Sequence, residues 1–369
     1  MTLPCTKIIC FLSDLDGGGA QRTMVNIVNE LAGDNELEVL FVVAHARGPA
    51  IKWVAGHVNL INLSCSRVKE ALIPLSFIIR KNKPDVVFST MLDANIVAVL
   101  AARLSGHNPK LIVRETNSQR ARGDLGFFRK MLCRWAYRRS DSVIALSHGV
   151  AEEVRYDCRL SGDNLITIPN PVDIVKLKEQ AEVSRNDIPP FVKDGPTIIC
   201  IGRLTCQKGF DLLLTAFAKL EMHASLVLLG EGPDRDLLSS QAENLGISDR
   251  VLMPGFVESP ADWLAHSDLF VLSSRWEGFG HVIVEAMACG LPVVATDCPH
   301  GPRDIISNNE SGLLVPIEDP ILLAGAIDKI LKDKGLSERL SRSSLLRAKD
   351  FEVSHVAKIY KKCLLSNKG

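Results

Sequence analysis

The feature that most constrains this chain is the alternation of short apolar, β-rich runs with helix-period segments, in two successive series. The first series comprises 7–12, 37–44, 86–90, 111–115 and 142–146, and the second 197–201, 225–229, 251–253, 269–272 and 292–295. Apolar runs separated by helical stretches predict parallel sheets covered by helices on both faces. A polar stretch from about 168 to 196, bearing Pro169, Pro171, Pro189, Pro190 and Pro196, divides the series and reads as a linker. The expectation is an α/β chain of two doubly wound, Rossmann-like domains, residues 1–187 and 188–350. A helix over 351–369, with Val356, Ala357, Tyr360 and Leu364 at helical spacing, follows and is able to return to the first domain. A length of 369 residues exceeds what one core usually organises, which agrees.

Composition excludes more than it selects. Apolar residues make up 46%, charged residues 23%, and the formal net charge is zero, which speaks against a general nucleic-acid binder. Residues 1–190 carry 24 Lys+Arg against 20 Asp+Glu, and the remainder 19 against 23. No apolar run reaches the roughly 18–20 residues that span a bilayer. Lys7–Leu12 is too short for a signal-peptide core, so a cytoplasmic location is expected. The ten cysteines form no CxxC, lie mostly in apolar segments, and read as reduced small hydrophobes.

Three loops carry candidate chemistry. The first strand ends in Asp14-Leu-Asp-Gly-Gly-Gly-Ala-Gln-Arg22, whose Gly17, Gly18 and Gly19 admit close backbone approach and leave a helix start open to an anion. It is not G-x-G-x-x-G, which disfavours a dinucleotide oxidoreductase. The second loop, Ile201-Gly-Arg-Leu-Thr-Cys-Gln-Lys-Gly-Phe210, sets Arg203 and Lys208 among glycines at the carboxyl end of a strand, where a diphosphate can bind and depart. In the third, Ser273–Pro292, Glu277 stands beside Gly278, Phe279 and Gly280. Glu285 follows on a helix apolar nearly all round, where a carboxylate needs a partner such as ligand hydroxyls or nearby backbone.

Taken in order, Gly17-Gly18-Gly19, Ile168-Pro-Asn-Pro-Val-Asp173, Arg203 with Lys208, Gly230-Glu-Gly-Pro233, and Glu277 with Glu285 eight residues on resemble family 4 of the GT-B glycosyltransferases, across essentially the whole chain. The resemblance implies two domains facing a central cleft and a nucleotide diphosphate-sugar donor held mainly by the second. Arg203 and Lys208 would bind the diphosphate, with Gly18 and Gly19 also on the donor side. Glu277 and the backbone of Gly278, Phe279 and Gly280 would contact the sugar, Glu285 the ribose, and Phe256 and Val257 the base. It further implies retention of anomeric configuration, with Glu277, Arg203 and Lys208 serving the reaction, and no metal or other cofactor. The family's N-domain histidine is missing from Val113-Arg-Glu-Thr-Asn117, which leaves Arg114, Glu115 or Asn117 for the acceptor side. The stretch around His300 and Gly301-Pro-Arg-Asp304 resembles bacterial members that use UDP-hexoses or UDP-N-acetylhexosamines to build lipid-linked surface glycans, implying an undecaprenyl-linked acceptor.

Between Lys110 and Arg139 stand nine Lys+Arg against two Asp+Glu. Within this segment 125–139 fits a helix with Phe128, Met131, Leu132 and Trp135 on one stripe and Lys130, Arg134 and Arg138 on another. Such a helix either lies on an anionic membrane surface at the inner face of the plasma membrane or packs its aromatic stripe on its own domain. The competing functions are a transferase for a soluble acceptor, a nucleotide-sugar epimerase sharing the fold, and a silent binding protein.

Overall fold

The structure, a computed structural model, describes residues 5–116, 126–160, 162, 164–183, 195–257 and 259–366. It separates into two compact units, one made of Met1–Pro171 with Val353–Gly369, the other of Val172–Glu352.

The first unit runs β1 (Thr6–Leu12), α1 (Gly19–Ala32), β2 (Leu37–Val43), β3 (Asn59–Asn62), α2 (Leu72–Asn82), β4 (Val86–Thr90), α3 (Leu92–Ser105), β5 (Lys110–Glu115), α4 (Phe127–Tyr137), β6 (Ser142–Ala145), α5 (His148–Cys158) and β7 (Leu165–Thr167). Its seven strands are all parallel, in the order β3-β2-β1-β4-β5-β6-β7. Strand order reverses between β1 and β4, so the loops leaving their carboxyl ends flank the crevice where doubly wound sheets take ligands. Ile8, Cys10, Leu12, Phe41 and Phe88 point from the strands into a core completed by Met24, Ile27 and Val28 of α1.

The second unit runs α6 (Ile174–Val183), β8 (Thr197–Ile201), α7 (Phe210–Phe217), β9 (Ser225–Leu229), α8 (Arg235–Asn244), β10 (Val251–Gly255), α9 (Ala261–Ala265), β11 (Leu269–Leu272), α10 (His281–Ala288), β12 (Val293–Thr296), α11 (Pro302–Ile305), β13 (Leu313–Val315), α12 (Pro320–Lys332) and α13 (Lys334–Ala348). Its six strands, in the order β10-β9-β8-β11-β12-β13, are also parallel, with the reversal between β8 and β11. Asp319 and Asp333 cap α12 and α13 by accepting from first-turn amides. The chain passes into this unit at Val172, earlier than the boundary after residue 187 expected from the prolines. The reason is α6: its Ile174 and Leu177 are buried, it lies on α9 and α10, and Ser259 Oγ donates to Gln180 Oε1 at 3.1 Å.

The last helix, α14 (Val353–Leu365), belongs to the first unit, where Val356, Tyr360 and Leu364 join the core beside α1. Lys110, buried on β5, donates from Nζ to the carbonyls of Cys363 and Ser366, both at 2.8 Å, and so caps the end of α14. All ten cysteines are free, and burial pushes the Cys10 and Cys200 thiols up to about 12.

Candidate functional site

The second unit builds its site at the reversal point between β8 and β11. The loop after β8 turns through Lys208 into Gly209, whose φ of +62° places it against the Ser273 carbonyl so closely that no Cβ fits. Both helices that start here, α7 at Gly209 and α10 at Gly280, lack a side-chain cap, leaving first-turn amides available to an anion. The two loops are stitched together. Arg275 donates its amide to Gln207 O at 2.8 Å and its Nη1 to Cys206 O at 2.7 Å, and Gln207 Nε2 donates to Trp276 O at 3.0 Å. Ser273 Oγ donates to Lys208 O at 2.9 Å.

Across this seam Lys208 Nζ meets Glu277 Oε1 at 2.5 Å, and Ser274 Oγ donates to the same oxygen at 2.7 Å. Glu277 is only 6% exposed, and such a buried carboxylate requires its charge to be answered. The ion pair therefore holds one cation and one carboxylate, both largely desolvated, at the head of the sheet. Arg275 fixes the frame beneath them through a fork onto Asp211 at 2.7 and 2.8 Å and an Nε bond to Glu318 at 2.6 Å. That hydrogen bonding holds the Asp211 carboxyl below its ordinary value and raises Arg275 further. Arg275 was not among the sequence candidates. The available signal was its place two residues before Glu277 in the glycine loop.

The remaining candidates of this unit surround the seam to differing degrees. Arg203 lies on the same loop as Lys208, exposed, with no side-chain partner among the described residues. Phe279 is buried, edge-on to His281 at 5.5 Å and to Phe351 at 5.7 Å, and its carbonyl abuts Gly301 of the loop after β12. The Glu277 amide reaches Pro299 O of that loop at 3.5 Å. Gly278 is half-buried between them, and Glu285 is buried on α10. Gly230 lies against the Gly202 carbonyl and donates to Gly255 O at 2.9 Å, which brings the loops after β8, β9 and β10 side by side. Phe256, 76% exposed, and half-buried Val257 follow directly.

In the first unit Gly18 and Gly19 form the uncapped start of α1 and are exposed. The acceptor-side candidates divide otherwise. Arg114, 1% exposed, donates to Tyr360 Oη at 2.9 Å, to Thr90 Oγ1 at 3.1 Å and to Asn170 Oδ1, so its donors serve the fold. Glu115 is fully buried, accepting from Tyr137 Oη at 2.7 Å and from the Thr116 amide at 2.9 Å. Asn117 lies outside the described residues.

The basic helix α4 departs from the expected pattern. Phe127 and Phe128 are 76% and 75% exposed, and Met131 and Leu132 continue an open ridge. Trp135 does not join it, being held between the guanidinium groups of Arg103, at 5.5 Å, and Arg139, at 4.9 Å. Arg134 is tied to Asp157 O at 3.0 Å, while Lys130 and Arg138 are exposed. Among the described residues no helix is long and apolar enough to cross a membrane, and no three His, Cys, Asp or Glu side chains gather to hold a metal.

Comparison with known proteins accounts for both halves. Residues 17–176 match the model for glycosyltransferase family 4, and residues 184–345 that for glycosyl transferases group 1. The chain is 32% identical over 341 residues to the lipopolysaccharide core biosynthesis glycosyltransferase LpsE of Rhizobium meliloti, covering 88% of each chain. It is 26% identical over 374 residues, 97% of this chain and 99% of the other, to the N-acetylgalactosamine-N,N'-diacetylbacillosaminyl-diphospho-undecaprenol 4-alpha-N-acetylgalactosaminyltransferase of Campylobacter jejuni. The crystal structure of Anabaena HepE in complex with UDP superposes with a TM-score of 0.81 at 20% identity, covering 97% of this chain and 99% of that one. With both halves matched, and with two doubly wound parallel sheets, this chain belongs to family 4 of the glycosyltransferases with the GT-B fold.

Proposed function

We propose that the chain transfers a hexose or N-acetylhexosamine, with retention, from a UDP-sugar to a lipid-linked oligosaccharide in bacterial surface glycan synthesis. The observation that carries this reading is the Lys208–Glu277 pair set between two uncapped helix starts. When the bond from the anomeric carbon to the diphosphate oxygen breaks, its electron pair leaves with the diphosphate. Lys208, Arg203 and the helix amides stabilise that charge, so no metal is required. Positive charge grows on the sugar at the same moment, which the Glu277 carboxylate stabilises. The acceptor hydroxyl attacks the face the diphosphate leaves, and its proton passes to a departing phosphate oxygen. Glu285 takes the ribose, and Phe256 and Val257 lie along the base.

The relative solved with UDP supports the nucleotide, and the Campylobacter relative, named for a diphospho-undecaprenol acceptor, supports the lipid-linked substrate. The ridge of Phe127, Phe128, Met131 and Leu132 beside Lys130 and Arg138 supports contact with the anionic membrane surface bearing that acceptor. The test is nucleotide release from a panel of UDP- and GDP-sugars, with and without undecaprenyl-linked oligosaccharides. Release from one UDP-sugar, dependent on acceptor and indifferent to chelator, with an α-linked product, is expected. Arg203→Ala and Lys208→Ala should each cost about 10²-fold or more in turnover. Turnover without acceptor would indicate an epimerase, and an inverted product or a strict metal requirement would overturn the mechanism.

A further inference from the structure

The first unit has its own reversal point, and the polar groups there differ from those of the second. Ser13, directly after β1, lies 3.6 Å from Met91 Sδ directly after β4, so the two loops meet over the crevice. Met91 holds a φ of +76°, a conformation that a side chain this large adopts only when its surroundings impose it. Beside it the Asp14 carboxylate accepts from Ser13 Oγ at 2.6 Å, Gln21 Nε2 at 2.7 Å and the Asp16 amide at 3.2 Å. A carboxylate offers about four acceptor positions, so one remains.

Two further groups here lack partners. Gln21 is 7% exposed, and its Nε2 is committed to Asp14. Its Oε1 receives no hydrogen bond from the described residues and lies over Gly18, 2.8 Å from where a Cβ would stand. His45, after β2, is held beside the loop by its amide, which donates to Ser13 O at 3.1 Å, and its Nδ1 is buried without a partner. Leaving the buried His45 nitrogen unanswered costs about 1–3 kcal/mol, whereas the Gln21 oxygen is open to solvent and to a ligand. A native fold retains that cost where a ligand relieves it.

We infer that Asp14, Gln21 and His45 bind hydroxyl groups of the acceptor's terminal sugar. This rests on the reading of the chain as a glycosyl transferase. The chemistry selects the ligand class. A carboxylate and an amide carbonyl repel phosphate and call for neutral donors, and a sugar supplies several hydroxyls on adjacent carbons. Burial acts to raise the Asp14 carboxyl but is outweighed by its hydrogen bonds and the nearby His45, which hold it below its ordinary value. It therefore stands ready as an acceptor at neutral pH. Arg114 and Glu115, by contrast, are engaged within the fold.

The probe is saturation-transfer NMR with the methyl α-glycosides of glucose, galactose, N-acetylglucosamine and N-acetylgalactosamine, in parallel with calorimetric titration of UDP. Wild type should show transfer from at least one glycoside. Asp14→Asn, which keeps the shape and removes the charge, should abolish that signal while UDP affinity stays unchanged, and Glu277→Gln should retain it. In turnover the same substitution should raise the acceptor KM about tenfold or more, as expected for one charge-assisted hydrogen bond, with little change in the donor KM. Gln21→Met, which keeps the volume and removes both the free oxygen and the donor to Asp14, should act in the same direction, and it decides the matter if Asp14→Asn fails to fold. A glycoside signal absent from wild type, retained in both variants, or lost together with UDP binding would overturn the assignment. A wild type that binds glycosides but no UDP would instead defeat the donor reading and leave this one standing.

Discussion

Arg275 decides where Lys208 and Glu277 can stand, although it faces neither. Its guanidinium spans Asp211, Glu318 and the Cys206 carbonyl at once, a fork that a lysine ammonium cannot reproduce. Arg275→Lys is therefore expected to behave much as Arg275→Met does. Both should lower kcat by about tenfold or more, the loss expected when reacting groups shift by a fraction of an ångström. UDP affinity should change less, because the other groups proposed to hold the donor remain. Steady-state kinetics beside UDP titration separates the two, and an Arg275→Lys enzyme with wild-type kcat would show that the fork is dispensable. The pH response carries its own sign. Asp211 is depressed in the fold, so its contribution is complete above its ordinary value of 3.8 and is lost as pH falls through the lower, folded value. The seam should thus hold through neutral and mildly acidic pH, and thermal melting should show its loss only below about pH 4.

At the scale of elements, what could be read in advance followed burial. The central strands are near-continuous apolar runs, and the expected spans 86–90, 197–201, 225–229 and 269–272 match β4, β8, β9 and β11 residue for residue. The strands that escaped notice are β3, β7 and β13, each at a sheet edge. Asn59-Leu-Ile-Asn62 shows why, since an edge strand with one neighbour needs little apolar length to be held. The loop glutamate and lysine were legible because glycines flank them. The internal duties of Arg114 and Glu115 were not, because their partners Tyr360, Asn170 and Tyr137 lie far off in sequence. Helix α4 falls between these cases. Its amphipathic period was visible, but only the structure separates the open Phe127–Phe128 end from Trp135, which Arg103 and Arg139 enclose. A membrane role should therefore be read at the phenylalanines. Phe127→Ala with Phe128→Ala should weaken binding to anionic vesicles, and a Trp introduced by Phe128→Trp should shift blue on adding them, in a salt-sensitive manner. Charge reversal at Lys130 and Arg138 should weaken binding as well. Vesicle binding unaffected by all of these would assign the ridge to something other than lipid.

At the scale of the whole molecule, the chain leaves the first unit at Pro171 and re-enters it at Val353, so the first unit is completed only by the last helix. The chemistry on both sides of α14 makes that return necessary. Val356, Tyr360 and Leu364 are core residues, and Lys110 is buried with its Nζ among the final carbonyls of the helix, where burial lowers its pKa and nearby groups only partly oppose that. Arg114 is nearly inaccessible to water, and one of its donors is answered by the Tyr360 hydroxyl at 2.9 Å. Tyr360→Phe keeps the ring against Phe88 and removes only that oxygen, leaving a buried guanidinium donor without its acceptor. The expected cost is about 1–3 kcal/mol, borne by one unit alone. Deleting 353–369 adds exposure of the core and leaves both Lys110 and Arg114 short of partners, so the first unit should lose its fixed packing altogether. Hydrogen exchange read by mass spectrometry distinguishes these outcomes. Peptides covering β1, β4 and β5 should lose protection, moderately in Tyr360→Phe and severely on deletion, while peptides covering β8, β9 and β11 keep theirs. UDP binding, which we propose for the second unit, should outlast glycoside binding in the deletion variant. Uniform loss of protection across both units would mean instead that α14 stabilises the chain as a single cooperative body.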